Sequence, residues 1–348
     1  MTALPAPLRF LLRRVGAAIL TLIGLVAIVF LMTKVIPGDP ARVAAGEGAT
    51  AEQVEKIREQ LGLDQPLFVQ FFRYLSKLVR GDLGTSIATF RPVASDIGAV
   101  LPASLQLVFL ALFLALLVAI PASSVAAVQS GRGLDTSSRI LVIFAAGLPM
   151  FWLALVFQWL FGSVLRVLPI SGALSIGLVV PRWSGMTLVD ALRTGDMGIT
   201  RDAFLHLVLP AVVLAIPACA TFFRLLRAEM LAILQREHIM VARAKGVPLS
   251  RIVMRHALPN AFGPLLTQIG LQVGFTIGSV ILVESIFSLP GIGTFLFNAV
   301  EQRDVFAVLG GVLTVGVIVV GVNFLVDVAQ LWRDPRIRAA QLDGASVG

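Results

Sequence analysis

The sequence predicts an all-α integral membrane protein with six transmembrane helices, on three observations. Of its 348 residues, 57% are hydrophobic and 14% are charged, against about a quarter charged in an ordinary soluble domain. Mean hydropathy is +0.91. Uncharged stretches of about 20 residues, enough to cross a bilayer core of roughly 30 Å as a helix, recur along the whole chain. The net charge of +8 does not point to nucleic acid, because the arginines fall mostly between apolar stretches, where they orient the chain.

The first apolar stretch runs from Val15 to Met32, after Arg13 and Arg14 and before Lys34. Its basic flank resembles that of a secretory signal, but the stretch is too long and no small-residue cleavage site follows, so it is read as retained. The second span is expected between Asp96 and Arg132, the third between Arg139 and Arg166, the fourth between Asp202 and Arg224, and the fifth between His256 and Glu284. The sixth runs from Val305 to Val326. Pro149, Pro210 and Pro217 are expected to interrupt spans three and four, where neighbouring helices re-satisfy the backbone.

Short cytoplasmic loops carry an excess of Lys and Arg. Arg9, Arg13 and Arg14 lead the chain, Arg132 and Arg139 fill a short loop, and Arg333, Arg336 and Arg338 follow span six. Between spans four and five come Arg224, Arg227, Arg236, Arg243, Lys245, Arg251 and Arg255, opposed only by Glu229 and Glu237. Both termini are therefore expected in the cytoplasm. The segment from Pro37 to Asp96 holds seven basic residues but also eight acids, and its length weakens the rule there. It is read as an outer segment of two helices. Thr50 and Gln53 have capping-box spacing, with Gly62 as a stop; Asp64 and Pro66 open a second helix through Leu67, Phe71, Tyr74 and Leu78, stopped by Gly81. The chain thus divides into 1–98 (first span and outer segment), 99–338 (a five-helix core with a cytoplasmic loop at 229–260) and a tail at 339–348.

Several chemistries drop out. Cys219 is the only cysteine, so neither an intrachain disulfide nor a thiolate cluster can form. The three histidines, His206, His238 and His256, lack the i, i+4 spacing of a zinc helix. No lysine is followed by Ser or Thr, which removes the P-loop, and no Gly-x-Ser-x-Gly elbow occurs. No catalytic residue, metal or cofactor is expected on this chain.

The most informative stretch is the basic one from Glu229 to Asn260. Val241-Ala242-Arg243-Ala244-Lys245-Gly246 reads as a short helix with small residues on one side, basic residues in its last turn and a glycine stop. A second turn follows from Pro248, and Leu258-Pro259 is expected to break the chain before span five. On composition alone, a basic loop resting on anionic lipid is an equal alternative.

Here the sequence resembles the EAA loop of permease subunits of bacterial binding-protein-dependent ABC importers, in the dipeptide/oligopeptide branch. ARAKG is followed after an interval by HALPNA; Ile36-Pro37-Gly38-Asp39-Pro40, Leu61-Gly62-Leu63-Asp64-Gln65-Pro66-Leu67, Gly81-Asp82-Leu83-Gly84, Val283-Glu284-Ser285-Ile286-Phe287 with Pro290-Gly291, and Asp334-Pro335-Arg336-Ile337-Arg338 occur in the family's order. The extra first span and long outer segment resemble the B-type permease of such systems. Met240 stands where the broader pattern has an acid, and His256 replaces an aliphatic residue. The resemblance implies that Val241, Ala242, Arg243, Ala244, Lys245, Gly246, Val247 and Pro248 form a coupling helix docking on a separate ATPase that holds ATP and Mg. It further implies a second homologous permease, two cytoplasmic ATPase subunits or domains, an extracytoplasmic binding protein and a place in the bacterial inner membrane. Importers of nickel chelates or other small solutes share this architecture. A passive channel is the different-class alternative and leaves ARAKG unexplained.

Polar groups inside spans cost free energy unless paired or facing water. Gln268 and Gln272, four apart, share a helical face that lines a translocation path or joins helices. Glu284 lines the same path, or accepts hydrogen bonds from amides around Pro290-Gly291-Ile292-Gly293. Asp327 is expected to pair with an arginine, and His206 to sit at the interface. The aromatics of span three, Phe151, Trp152, Phe157, Trp159 and Phe161, are read as packing or lipid-facing.

Overall fold

The computed structural model describes residues 6–35, 40–46 and 48–333. Ile36 to Asp39, Asp334 to Arg338 and the 339–348 tail lie outside the described residues. Among the described residues every regular element is helical, apart from a single bridge between Thr85 and Pro92.

Helix α1 (Ala6–Val35) is followed by the short α2 (Pro40–Ala45), then α3 (Ala51–Leu61) and α4 (Leu67–Val79). The Thr50 hydroxyl accepts the Gln53 N–H at 3.3 Å while the Gln53 carboxamide accepts the Thr50 N–H at 2.9 Å, the expected capping box. Gly62 closes α3 at φ 65°, a left-handed conformation open to glycine. Helix α4 is amphipathic: Phe71, Tyr74, Leu75 and Leu78 pack on Val26 and Val29 of α1 and on Leu309 and Leu313. Phe71 meets Phe30 edge-on at 5.5 Å.

Helices α5 (Val93–Val128) and α9 (Met197–Leu234) pack along their length and form the centre of the bundle. Between them lie α6 (Gly133–Gly147), α7 (Met150–Phe157) with a π-helical extension from Gln158 to Val164, and α8 (Thr187–Thr194). After α9 come α10 (Glu237–Ala244), α11 (Leu249–Ile252), a π-helical turn over Val253–Ala257, α12 (Leu258–Phe287), α13 (Ile292–Glu301) and α14 (Val305–Arg333). The π-turn joins α11 to α12, so Leu249–Phe287 is one rod.

Five helices among the described residues are long and apolar enough to cross a membrane: Leu12–Met32, Val93–Val128, Met197–Leu234, Leu249–Phe287 and Val305–Ala329. The remaining expected span, the third, is broken. Gly133–Gly147 and Met150–Val164 meet at 101°, with Leu148 extended ahead of Pro149, as the residue before a proline prefers. Pro210 and Pro217 do not interrupt span four, because α9 passes through both as a single helix. Pro259 does not break span five either. It sits in the first turn of α12, just after the π-turn; such a turn absorbs the missing donor and the ring's bulk within a continuous rod.

The bundle has two ends. One carries the α5–α6 turn and α10–α11, and there Arg14 pairs with Asp327 at 3.1 Å, as the sequence suggested. The other carries α8, α13 and the loops that hold them. Asp304 is buried and accepts from the Ser86 hydroxyl at 2.6 Å, the Ile87 and Ala88 amides, and the Ala307 amide at the start of α14. Asp190 fixes the loop before α8. Its burial opposes ionisation, but the Ser184 hydroxyl and the Ser184 and Gly185 amides outweigh that and hold its carboxyl below the ordinary range. His206 is buried in the bundle, its Nδ1 2.9 Å from the Asp202 carbonyl oxygen. Phe151, Trp152 and Trp159 are exposed on the bundle surface, while Phe157 and Phe161 pack edge-on at 5.5 Å against the core.

Opposite membrane sides for α3 and α11 are an expected result. In a Cys219→Ser background, Arg58→Cys should react with an impermeant thiol reagent from outside and Ser250→Cys only from inside. Labelling of both from one side would overturn the arrangement.

Candidate functional site

Helices α10 and α11 form a projection at the arginine-rich end, hung between the long helices α9 and α12. Its helix reads from the sequence: Glu237 lies in the first turn and Arg243 in the last, complementing the helix dipole. Lys245 and Gly246 then end it, with Gly246 donating to the Arg243 carbonyl at 2.9 Å and Val247 to that of Ala242 at 3.1 Å. Gly246 stands at φ +77°, where a side chain is strained.

The projection is anchored from beneath. Ile239 and Ile252 are both 0% exposed and belong to the main core together with Val253 and Ala257, with Ala242 and Val247 packed against them. Ile239 and Ala242 are three apart, so they share the inward face. The outward face presents Val241, Arg243, Ala244, Lys245, Gly246 and Pro248, all exposed. Met240 and Val241, at 55% and 53% exposure, give that face an apolar centre surrounded by arginine and lysine. The expected run of small residues on one side is thus divided. Ala242 is a foot of the projection and Ala244 part of its outer face, while the ridge that a partner would meet includes Met240.

A second feature was not anticipated from the sequence. Arg227 of α9 and Asp135 of α6 form a bidentate pair, Nε to Oδ1 at 2.6 Å and Nη2 to Oδ2 at 2.7 Å. Asp135 is 1% exposed and takes a further hydrogen bond from the Gly131 amide at 3.0 Å. The pair clamps the α5–α6 turn to α9 a few residues before α10. The signal was available: an arginine within an apolar helix demands a partner, and Asp135 is the one acid in its loop.

The expected path residues differ in exposure. The open face of α12 is Pro264, Thr267, Leu271, Phe275, Gly278 and Leu282; Gln268 is half-buried at its flank and Gln272 is 6% exposed, turned into the bundle. Glu284 is 1% exposed. It accepts the Ser104 hydroxyl of α5 at 2.6 Å and the Gly293 amide of α13 at 2.7 Å, while the Ile292 amide donates to Ser104 Oγ at 2.7 Å. The geometry therefore places Glu284 in a knot that joins α5, α12 and α13. An added Cβ at Gly291 would overlap the Glu284 carboxylate, and one at Gly293 would overlap the Ile281 backbone, so the knot requires both glycines. Among the described residues no group of three or more His, Cys, Asp or Glu is placed to hold a metal.

The chain is a multi-helix membrane protein with an ordered projection between two of its long helices. Residues 119–339 match the model for the inner membrane component of binding-protein-dependent transport systems, and residues 7–99 match that for its N-terminal part. The chain belongs to this family. It is 43% identical over 326 residues to the probable D,D-dipeptide transport system permease protein of Escherichia coli, covering 93% of this chain and 96% of the relative. It is 37% identical over 332 residues to the di/tripeptide transport system permease protein of Pseudomonas aeruginosa, covering 95% and 99%. It is also 34% identical over 331 residues to the glutathione transport system permease protein of Escherichia coli, again covering 95% and 99%.

Proposed function

We propose that this chain is the permease subunit of an ATP-driven importer of dipeptides in a bacterial inner membrane, acting beside a second permease, two ATPases and an external binding protein. The observation that carries this reading is the α10–α11 projection: an apolar centre rimmed by basic residues, fixed by Ile239 and Ile252 to both long helices. Every relative described above is named for the transport of a short peptide. Its arginine-rich end faces the cytoplasm, where the ATPases carry ATP and Mg; this chain contributes no catalytic group.

Mechanically, the projection sits at the C-terminal end of α9 and the N-terminal end of the rod containing α12. Buried isoleucines transmit displacement because a close-packed core resists compression. A push on Met240 and Val241 therefore moves the cytoplasmic ends of both rods together, a rigid-body route to alternating access. Eight residues from Val241 to Pro248 form the coupling element, with Ala242 and Val247 as its feet.

The testing experiment is uptake of labelled glycyl-alanine by cells with the transporter genes deleted and restored. Restoration of this chain with its partner ATPases should restore uptake, and restoration with ATPases unable to hydrolyse ATP should not. Uptake independent of the ATPases would overturn the reading in favour of a channel.

A further inference from the structure

Around Asp135 the cations outnumber what one carboxylate can hold. Both of its oxygens are taken by Arg227 of α9, yet Arg139, one turn further along α6, also lies within electrostatic reach of it. On α9, Arg224 stands one turn before Arg227. Arg139 and Arg224 are both exposed, and neither has an ion pair or hydrogen bond among the described residues. Three guanidiniums thus gather about one carboxylate, a surplus of two positive charges.

The Asp135–Arg227 pair fixes how the two free arginines stand to each other. Helix α6 begins at this end of the bundle and α9 finishes there, so the two pack antiparallel. One turn forward on α6 and one turn back on α9 therefore reach the same depth, about 5 Å from the pair and further from the arginine-rich end. Helical period sets the side. Arg139 is turned about 40° from Asp135, and Arg224 about 60° from Arg227, in the same rotational sense about its own helix. On antiparallel neighbours equal senses lead to the same flank, so both arginines border one side of the α6–α9 contact.

That flank meets lipid. Ile143, a further turn along α6 from Arg139, is exposed, as are Ile140, Leu141 and Phe144 around the helix, and apolar side chains exposed on a spanning helix lie against acyl chains. Arg139 and Arg224 each end the apolar stretch of their span, at the depth where lipid phosphates lie. Like charges side by side repel each other and Arg227, and an anion between them removes the repulsion. Guanidinium groups hold phosphate oxygens with paired N–H donors.

We propose that Arg139 and Arg224 form a binding site for one anionic phospholipid in the leaflet at the arginine-rich end, its phosphate between the two guanidiniums and its chains along Ile143. A zwitterionic headgroup fits less well, because its amine brings another cation to a place with two to spare. The site is separate from the coupling projection and does not depend on which solute is carried.

The test uses the whole transporter in vesicles of phosphatidylcholine containing a minority of phosphatidylglycerol, with a photo-reactive amino acid at position 143. Among its lipid adducts, phosphatidylglycerol should be enriched about twentyfold over the bulk mixture, roughly fivefold for each arginine. Arg139→Gln and Arg224→Gln should each lower the enrichment about fivefold, and the double variant should bring it to the bulk ratio. Arg139→Lys with Arg224→Lys, which keeps both charges, should retain most of it. The same photo-reactive group at position 144, about 140° round α6 from Arg139, should report the bulk ratio. A bulk ratio at 143, an enrichment untouched by the double Gln variant, an equal enrichment at 144, or adducts mainly with another protein chain would overturn the site.

Discussion

Arg227→Leu should destabilise the protein by about 3–5 kcal/mol, the usual consequence of removing one partner of a buried ion pair. Asp135, 1% exposed, would be left with only the Gly131 amide as donor. Its two carboxylate oxygens now receive the guanidinium at 2.6 and 2.7 Å, a geometry a lysine cannot reproduce. Arg227→Lys should therefore fall between wild type and Arg227→Leu. The double variant Asp135→Leu/Arg227→Leu should regain most of the loss, because no unpaired charge is left buried. Thermal unfolding of the purified protein in detergent checks all three. A double variant as unstable as Arg227→Leu would show that the clamp acts by shape and not by charge.

The second large effect is expected at Gly246. Its φ of +77° costs a β-branched residue roughly 1–2 kcal/mol, and no heavy atom lies within 4 Å of an added Cβ. The strain of Gly246→Val is therefore local to the end of α10 and leaves the core packing of Ile239 and Ile252 in place. The chain should insert and unfold like wild type while substrate-stimulated ATP hydrolysis by the assembled complex falls at least tenfold, because interface energy is concentrated in a few central residues and the exposed end of the projection, Arg243 to Lys245, is the part displaced. Gly246→Ala should fall less far than Gly246→Val, lacking the branched Cβ. Hydrolysis stimulated to the wild-type level in Gly246→Val would remove the projection from the coupling route.

Much of this architecture was legible because lipid leaves a helix few options: long uncharged stretches must be helical, and arginines mark their ends. The α3 cap was readable because Thr50 and Gln53 satisfy a local rule that needs no tertiary context. Proline was the weakest guide. Pro149 marks a 101° bend, whereas Pro210 and Pro217 lie within the unbroken α9 and Pro259 follows a π-turn. The ring alone does not set the outcome; whether neighbours and local widening replace the missing donor does, and that is tertiary information.

The same distinction separates the parts of the candidate site. The projection was legible because glycine stop, basic last turn and helix period are local signals. Its inward face was not, since helical period alone does not say whether Ala242 or Ala244 points to the core. Gln268 and Gln272 share a helical face by spacing, yet the packing of α12 leaves one half-buried and turns the other inward. Glu284 meets Ser104, 180 positions away, and Asp135 meets Arg227, 92 away; partners so distant in sequence emerge only once the helices are packed.

The claim on which the account depends is that the outer face of α10 touches an ATPase. A photo-reactive amino acid placed at position 241, in the assembled transporter within its native membrane, tests it most directly. The account predicts a covalent adduct with a nucleotide-hydrolysing subunit, formed in otherwise wild-type protein and lost when Gly246→Val is added. Adducts with lipid alone, the same in both backgrounds, would contradict it and leave α10 a membrane-surface anchor.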